Sequence, residues 1–131
     1  MNAGQVLRAG GIDSVRVRLL VDPVDPDQVV VRSAPSLMRR FWGRGITAMT
    51  LPNRIFVDPA VMTGRKGPGS LLVHELIHVR QWGELGVIRF LWRYLSAYLG
   101  GRLQGLGHRA AYLAIPLEVE ARAAARLIGE G

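Results

Sequence analysis

The 131-residue chain is predicted to fold as an α+β protein. Three observations carry that expectation. Strand patterns are confined to the first half, in the alternation of Val15, Val17, Leu19 and Val21 and in a hairpin pattern over Gly43 to Asp58. The run from Ser70 to Trp82 is apolar on nearly every side and reads as a buried helix. The segment LEVEARAAARLI, from Leu117 to Ile128, is built of strong helix formers.

Each element follows from local chemistry. Val15 to Val21 alternates with Arg16, Arg18 and Leu20, the period of a half-buried strand. DPVDPD, Asp22 to Asp27, stops it, because two prolines cannot continue a ladder. Gln28 to Trp42 is ambiguous; Pro35 breaks it, and SLMRRFW after it fits a helical turn or two. In the hairpin, ITAMTL and RIFVD flank Pro52-Asn53, where proline presets a turn φ and asparagine tolerates left-handed geometry. TGRKGPG, Thr63 to Gly69, reads as a loop, and Ser70 is placed to cap the next helix.

That helix is expected to loosen at Gly83 and Gly86. A second helix is predicted over Val87 to Leu99, with Arg89 and Arg93 as its wet stripe and Gly100-Gly101 as its end. Gln104 to His108 is interrupted by glycine. A last helix begins near Pro116, a residue suited to a first turn.

Length and composition predict one domain over residues 1–131, with 49% apolar and 21% charged residues. The chain has no cysteine. Thiol catalysis, disulfides and zinc ribbons are thereby excluded, and any metal must be held by histidine and carboxylate. The N-terminus shows no apolar run of signal-peptide length, and no uncharged stretch is long enough to span a bilayer, so a soluble, cytoplasmic protein is expected.

The net charge is +7 and the pI about 11.2. Sixteen of the 17 basic residues are arginine, and they are scattered along the chain. They do not interleave with stacking aromatics, so a solvated basic surface is expected and no specific nucleic-acid partner. VIRFLWRYLSAYLGGR, Val87 to Arg102, combines aromatics with arginines. Contact with an anionic membrane surface is its less favoured reading, and a core-packing helix the favoured one.

The chemistry is concentrated in HELIH. Residues four apart on a helix share a face, so His74 and His78 point the same way with Glu75 beside them. Two imidazoles at that spacing can grip one zinc ion, and the glutamate can serve as a base for a water on it. A catalytic zinc needs a third protein ligand and an open position. Glu84 is a weak candidate, because Gln81 stands at the position where a turn glycine would be needed. His108 lies in a glycine-rich stretch, and Glu118 and Glu120 lie on the last helix.

HELIH followed by a helix with Glu-x-x-small resembles the gluzincin zinc metallopeptidases, and most of all their minimal domains of about a hundred residues. The likeness runs from about Ile46 to Ile128. It implies a short antiparallel sheet with its hairpin packed on the HExxH helix, and two or three further helices. It also implies Zn2+ held by His74, His78 and Glu118, Glu75 as general base, and Ala121 as the small residue that lets the two helices approach. Helix geometry separates Glu118 from Glu120 by about 200° around the axis, so one alone can face a metal, and the alanines beside Glu118 favour it. Arg122 departs from the family pattern. It stands where an acid or amide would brace a ligand histidine, and it cannot accept a hydrogen bond.

The implied activity is hydrolysis of peptide or protein substrates. A donor for the developing oxyanion is expected among His108, Tyr112 and Tyr98, with His108 or Tyr112 preferred. An extended substrate could pair with the hairpin strand nearest the site. The competing reading is a zincin-fold interaction module without catalysis.

Overall fold

The computed structural model describes residues 1–41, 47–63 and 69–129. Positions 64–68 of the loop expected over Thr63 to Gly69, the last residue of the segment expected over Gln28 to Trp42, and the first four of the hairpin pattern expected over Gly43 to Asp58 lie outside them. Among the described residues the chain forms seven helices and a three-stranded sheet.

Helix α1, Ala3–Ala9, was not foreseen; Asn2 and Gln5 close a reciprocal capping box at its start. Helix α2, Ser14–Val21, replaces the strand expected there. The Asp13 carboxylate accepts from the backbone N–H groups of Val15 and Arg16, and Val17 and Val21, four apart, enter the core while Val15 and Leu19 face water. A period-2 pattern over seven residues also contains that i, i+4 pair, so it fits either geometry. Capping and contacts with later helices decide for the helix: Arg16 donates to the carbonyl of Leu127, and Arg80 to that of Leu20.

A single 3-10 turn, Pro26–Gln28, leads into β1, Val30–Ser33. Helix α3, Ser36–Phe41, follows Pro35 as expected. The hairpin forms as predicted from β2, Ala48–Leu51, and β3, Arg54–Val57, with Leu51 opposite Arg54 across the Pro52-Asn53 turn. The sheet order is β1-β3-β2, and β1 runs parallel to β3, so the sheet is mixed and not purely antiparallel. Residues Met1 and Ala3 hydrogen-bond along the outer side of β1. No described strand pairs with the outer edge of β2, and that strand lies against the long helix of the motif.

After the short helix α4, Pro59–Met62, comes α5, Ser70–Leu103. Its N-cap is Gly69 with no side-chain cap, so Ser70 is the first helical residue and does not cap it. Leu72, Val73, Leu76 and Ile77 sit in one cluster with buried residues of α1, α2, β1, β3 and the last helix. The helical path breaks once, at Gly86 with φ 77° and ψ 164°. Gly100 and Gly101 do not end the helix; it runs on to Leu103. A Cβ on Gly101 would stand 3.2 Å from that of Ala111, so glycine here permits a close approach by α6, His108–Leu113. Helix α7, Pro116–Gly129, is the helix expected from LEVEARAAARLI, and its Ala121, Ala124 and Ala125 face the core.

Gly86 occupies backbone space essentially reserved for glycine. Gly86→Ala should therefore lower stability by about 1–3 kcal/mol, read as a shifted denaturation midpoint. A new Cβ there would meet nothing within 4 Å, so the cost would be backbone strain alone. An unchanged midpoint would show that the bend tolerates an ordinary residue.

Candidate metal centre

The bend at Gly86 builds the site. In a straight helix Trp82 and Phe90 would lie about 12 Å apart along the axis. Here their rings stack with centroids 3.9 Å apart, Tyr94 stacks next on Phe90 at 5.8 Å, and Phe90 meets His78 edge-on at 6.1 Å. The second half of α5 is thus folded back over the first, and its aromatic face becomes one wall beside the histidines.

α7 supplies another wall. Glu118 reaches between the two imidazoles: its Oε2 lies 2.8 Å from His74 Nε2 and its Oε1 3.0 Å from His78 Nε2. The two rings are 5.0 Å apart, centroid to centroid. One ligand atom from each of His74, His78 and Glu118 falls within 4.8 Å of the others, and His78 and Glu118 are buried. Ala121, fully buried one turn along α7, leaves room for that approach.

Glu120 turns away, to the Arg80 guanidinium and the Gln81 amide. Glu84 pairs with Arg80 on the exposed side. Of the four candidate third ligands, only Glu118 is brought to both rings.

Gln81 provides what Arg122 cannot. Its Nε2 donates to the carbonyl of Leu117 at 3.0 Å and to Glu120, so its Oε1 faces His78 Nδ1 at 2.8 Å. That amide orientation requires Nδ1 to carry a proton and leaves Nε2 as the atom free to bind. Nε2 is buried without a hydrogen-bond partner, since its approach to Glu118 lacks hydrogen-bond geometry. An orphaned buried nitrogen beside a carboxylate and a second imidazole is a donor set that could hold a divalent metal ion. Arg122 serves elsewhere, donating to the carbonyl of Leu113 between α6 and α7.

The charges are strongly coupled. Burial alone would raise the Glu118 carboxyl, but His74, His78 and the Tyr94 hydroxyl, which donates to Oε1 at 2.8 Å, hold it well below its ordinary 4.5. Burial alone would lower the His78 imidazole; the adjacent Glu118, with Glu75 and Gln81 adding, leaves it above 6.5. Burial, and then the negative charge of Glu118, push the hydroxyls of Tyr94 and Tyr112 upward, so both stay protonated donors.

Glu75 is buried, and its Oε2 accepts from the Thr50 hydroxyl of β2. Its carboxylate is close enough to act electrostatically on His78, Tyr94 and Tyr112. His108 is placed differently: its Nδ1 meets the Tyr98 hydroxyl at 2.7 Å on the exposed side of α6. The hydroxyl of Tyr112, on the same helix, is raised first by burial and then by the negative charge of Glu118.

Gln81, Tyr94 and Thr50 escaped the sequence reading. Gln81 had a usable signal, since it lies three residues from His78 on the same helical face. Tyr94 and Thr50 had none, because the bend and the sheet bring them in. Replacing Gln81 with Met should weaken zinc binding about 10- to 100-fold, the usual effect of losing a partner behind a metal ligand. Competition titration with a chromogenic chelator reads it; unchanged affinity would mean His78 needs no brace. No protein-family model, curated protein or solved structure matches this chain.

Proposed function

We propose that this protein is a zinc-dependent metallopeptidase. One observation carries the reading: Glu118, 44 residues from His74, places its two carboxylate oxygens against the Nε2 atoms of both motif histidines. A chance pair of histidines would not attract a buried acid that must be desolvated to reach them.

His74, His78 and Glu118 would hold the ion. Zinc, when bound in such a site, acts as a Lewis acid and brings the pKa of water to about 7. The chain supplies the rest. Glu75 takes the proton from the attacking water and returns it to the leaving amine. Thr50 fixes the Glu75 carboxylate through its hydroxyl. Tyr112, kept protonated by burial and by the charge of Glu118, would donate to the oxyanion. The outer edge of β2, which no described strand covers, would offer backbone N–H and C=O groups to an extended peptide, with Thr50 on that strand tying the edge to Glu75.

The test is proteolysis of an unstructured protein substrate, abolished by chelation and restored by stoichiometric zinc. Zinc bound by four protein groups, without cleavage, would support the alternative of a zincin-fold interaction module.

A further inference from the structure

The second half of α5 has two faces. Phe90, Tyr94 and Gly101 turn inward, to the metal centre and to α6. A core-packing helix with Arg89 and Arg93 as its wet stripe was expected, and the exposed surface extends well beyond those arginines. Ile88, Trp92 and Leu103 are 84%, 73% and 89% exposed, and Leu95 and Leu99 between them are more than half exposed. These five fall at intervals of four, three, four and four residues, a continuous apolar stripe along one helical face. Single exposed leucines are ordinary, but a stripe five residues long with tryptophan in it is not.

Charge identifies what fits the stripe. Between Glu84 and Glu118 the sequence has no Asp or Glu, but it has Arg89, Arg93, Arg102 and Arg109, all exposed. None of the four forms an ion pair among the described residues. A second copy docked about a two-fold axis would set these arginines against their own equivalents. An anionic lipid surface instead neutralises them while the headgroup boundary accepts Trp92 and the leucines, the division of labour in helices that lie in a membrane interface. No described helix is long and apolar enough to cross a bilayer, which leaves lying on the surface as the mode of contact.

We propose that the Val87 to Leu103 face of α5 is a docking surface for anionic phospholipid membranes. Seated there, the metal centre on the opposite side of the same helix stands about one helix diameter, roughly 10 Å, from the lipid. The inference rests on the exposed stripe and its arginines and is independent of the metal.

Flotation with vesicles of phosphatidylcholine and phosphatidylglycerol in equal parts, at physiological salt, tests it. Binding is expected there and not to phosphatidylcholine alone. Trp92→Glu combined with Leu99→Glu should abolish it with the circular dichroism spectrum unchanged, both side chains being at the surface. Arg89→Gln and Arg93→Gln should each weaken it about fivefold. No binding to the anionic vesicles, equal binding to both vesicle types, or full binding by the double variant would overturn the proposal. So would a stable dimer in sedimentation that the double variant dissociates, since the stripe would then be covered by a second copy.

Discussion

Glu75→Gln should reduce peptide hydrolysis about a hundred- to ten-thousand-fold, the contribution of a positioned general base, while zinc remains bound. The amide has the same shape and still accepts from the Thr50 hydroxyl, so the β2 contact and the buried packing survive. What it cannot do is take a proton. The three groups that could hold a metal ion, His74, His78 and Glu118, are untouched. Metal analysis and single-turnover cleavage on the same preparation separate the two effects. Full activity with zinc bound would eliminate Glu75 as the base, and lost zinc would make it a structural partner of the histidines.

Glu118→Ala should remove zinc binding altogether, and Glu120→Ala should leave it in place. The asymmetry follows from their partners: Glu118 meets both imidazoles and the Tyr94 hydroxyl, whereas Glu120 meets Arg80 and Gln81. Without metal, Glu118→Ala also strips buried donors of their acceptor, at a cost of about 1–3 kcal/mol each. Zinc retained by Glu118→Ala and lost by Glu120→Ala would move the third ligand.

The same cluster sets a pH dependence. Glu118 is held below its ordinary 4.5, so its contribution to the metal-free fold is complete above 4.5 and disappears as pH falls through its lower folded value. His78 is held above 6.5, so its contribution is complete below 6.5 and is lost as pH rises through its higher folded value. Metal-free protein should therefore gain most from this pair between 4.5 and 6.5. Zinc competes with the proton on His78. The increase in melting temperature on adding zinc should thus grow as pH climbs past 6.5, and a constant increment would show that His78 is not a ligand.

The parts of this protein that were readable in sequence are those governed by neighbours along the chain. His74 and His78 share a face because helix geometry puts residues four apart one above the other, whatever the surroundings. Pro52-Asn53 closes a hairpin because both residues restrict their own backbone, and α7 forms where helix formers follow Pro116. The pattern at Val15 to Val21 misled because it fits two periods, and the choice between them was made by a cap at Asp13 and by partners sixty or more residues away.

Glycine was readable only in part: the loosening expected at Gly83 and Gly86 falls at Gly86, whereas the end expected at Gly100-Gly101 does not occur. Gly86 and Gly101 look alike on paper, yet one breaks the helix at positive φ and the other continues it against Ala111. A residue without a side chain permits several conformations and specifies none. The bend at Gly86 brings Tyr94 to Glu118, and the approach of α7 orients Gln81 toward His78. The motif residues and their common face were thus determined by the sequence alone. The arrival of Glu118 at the two imidazoles, the bracing of His78 and the exposure of the Ile88–Leu103 stripe were decided by packing, because which surface covers an apolar face is a property of the whole chain.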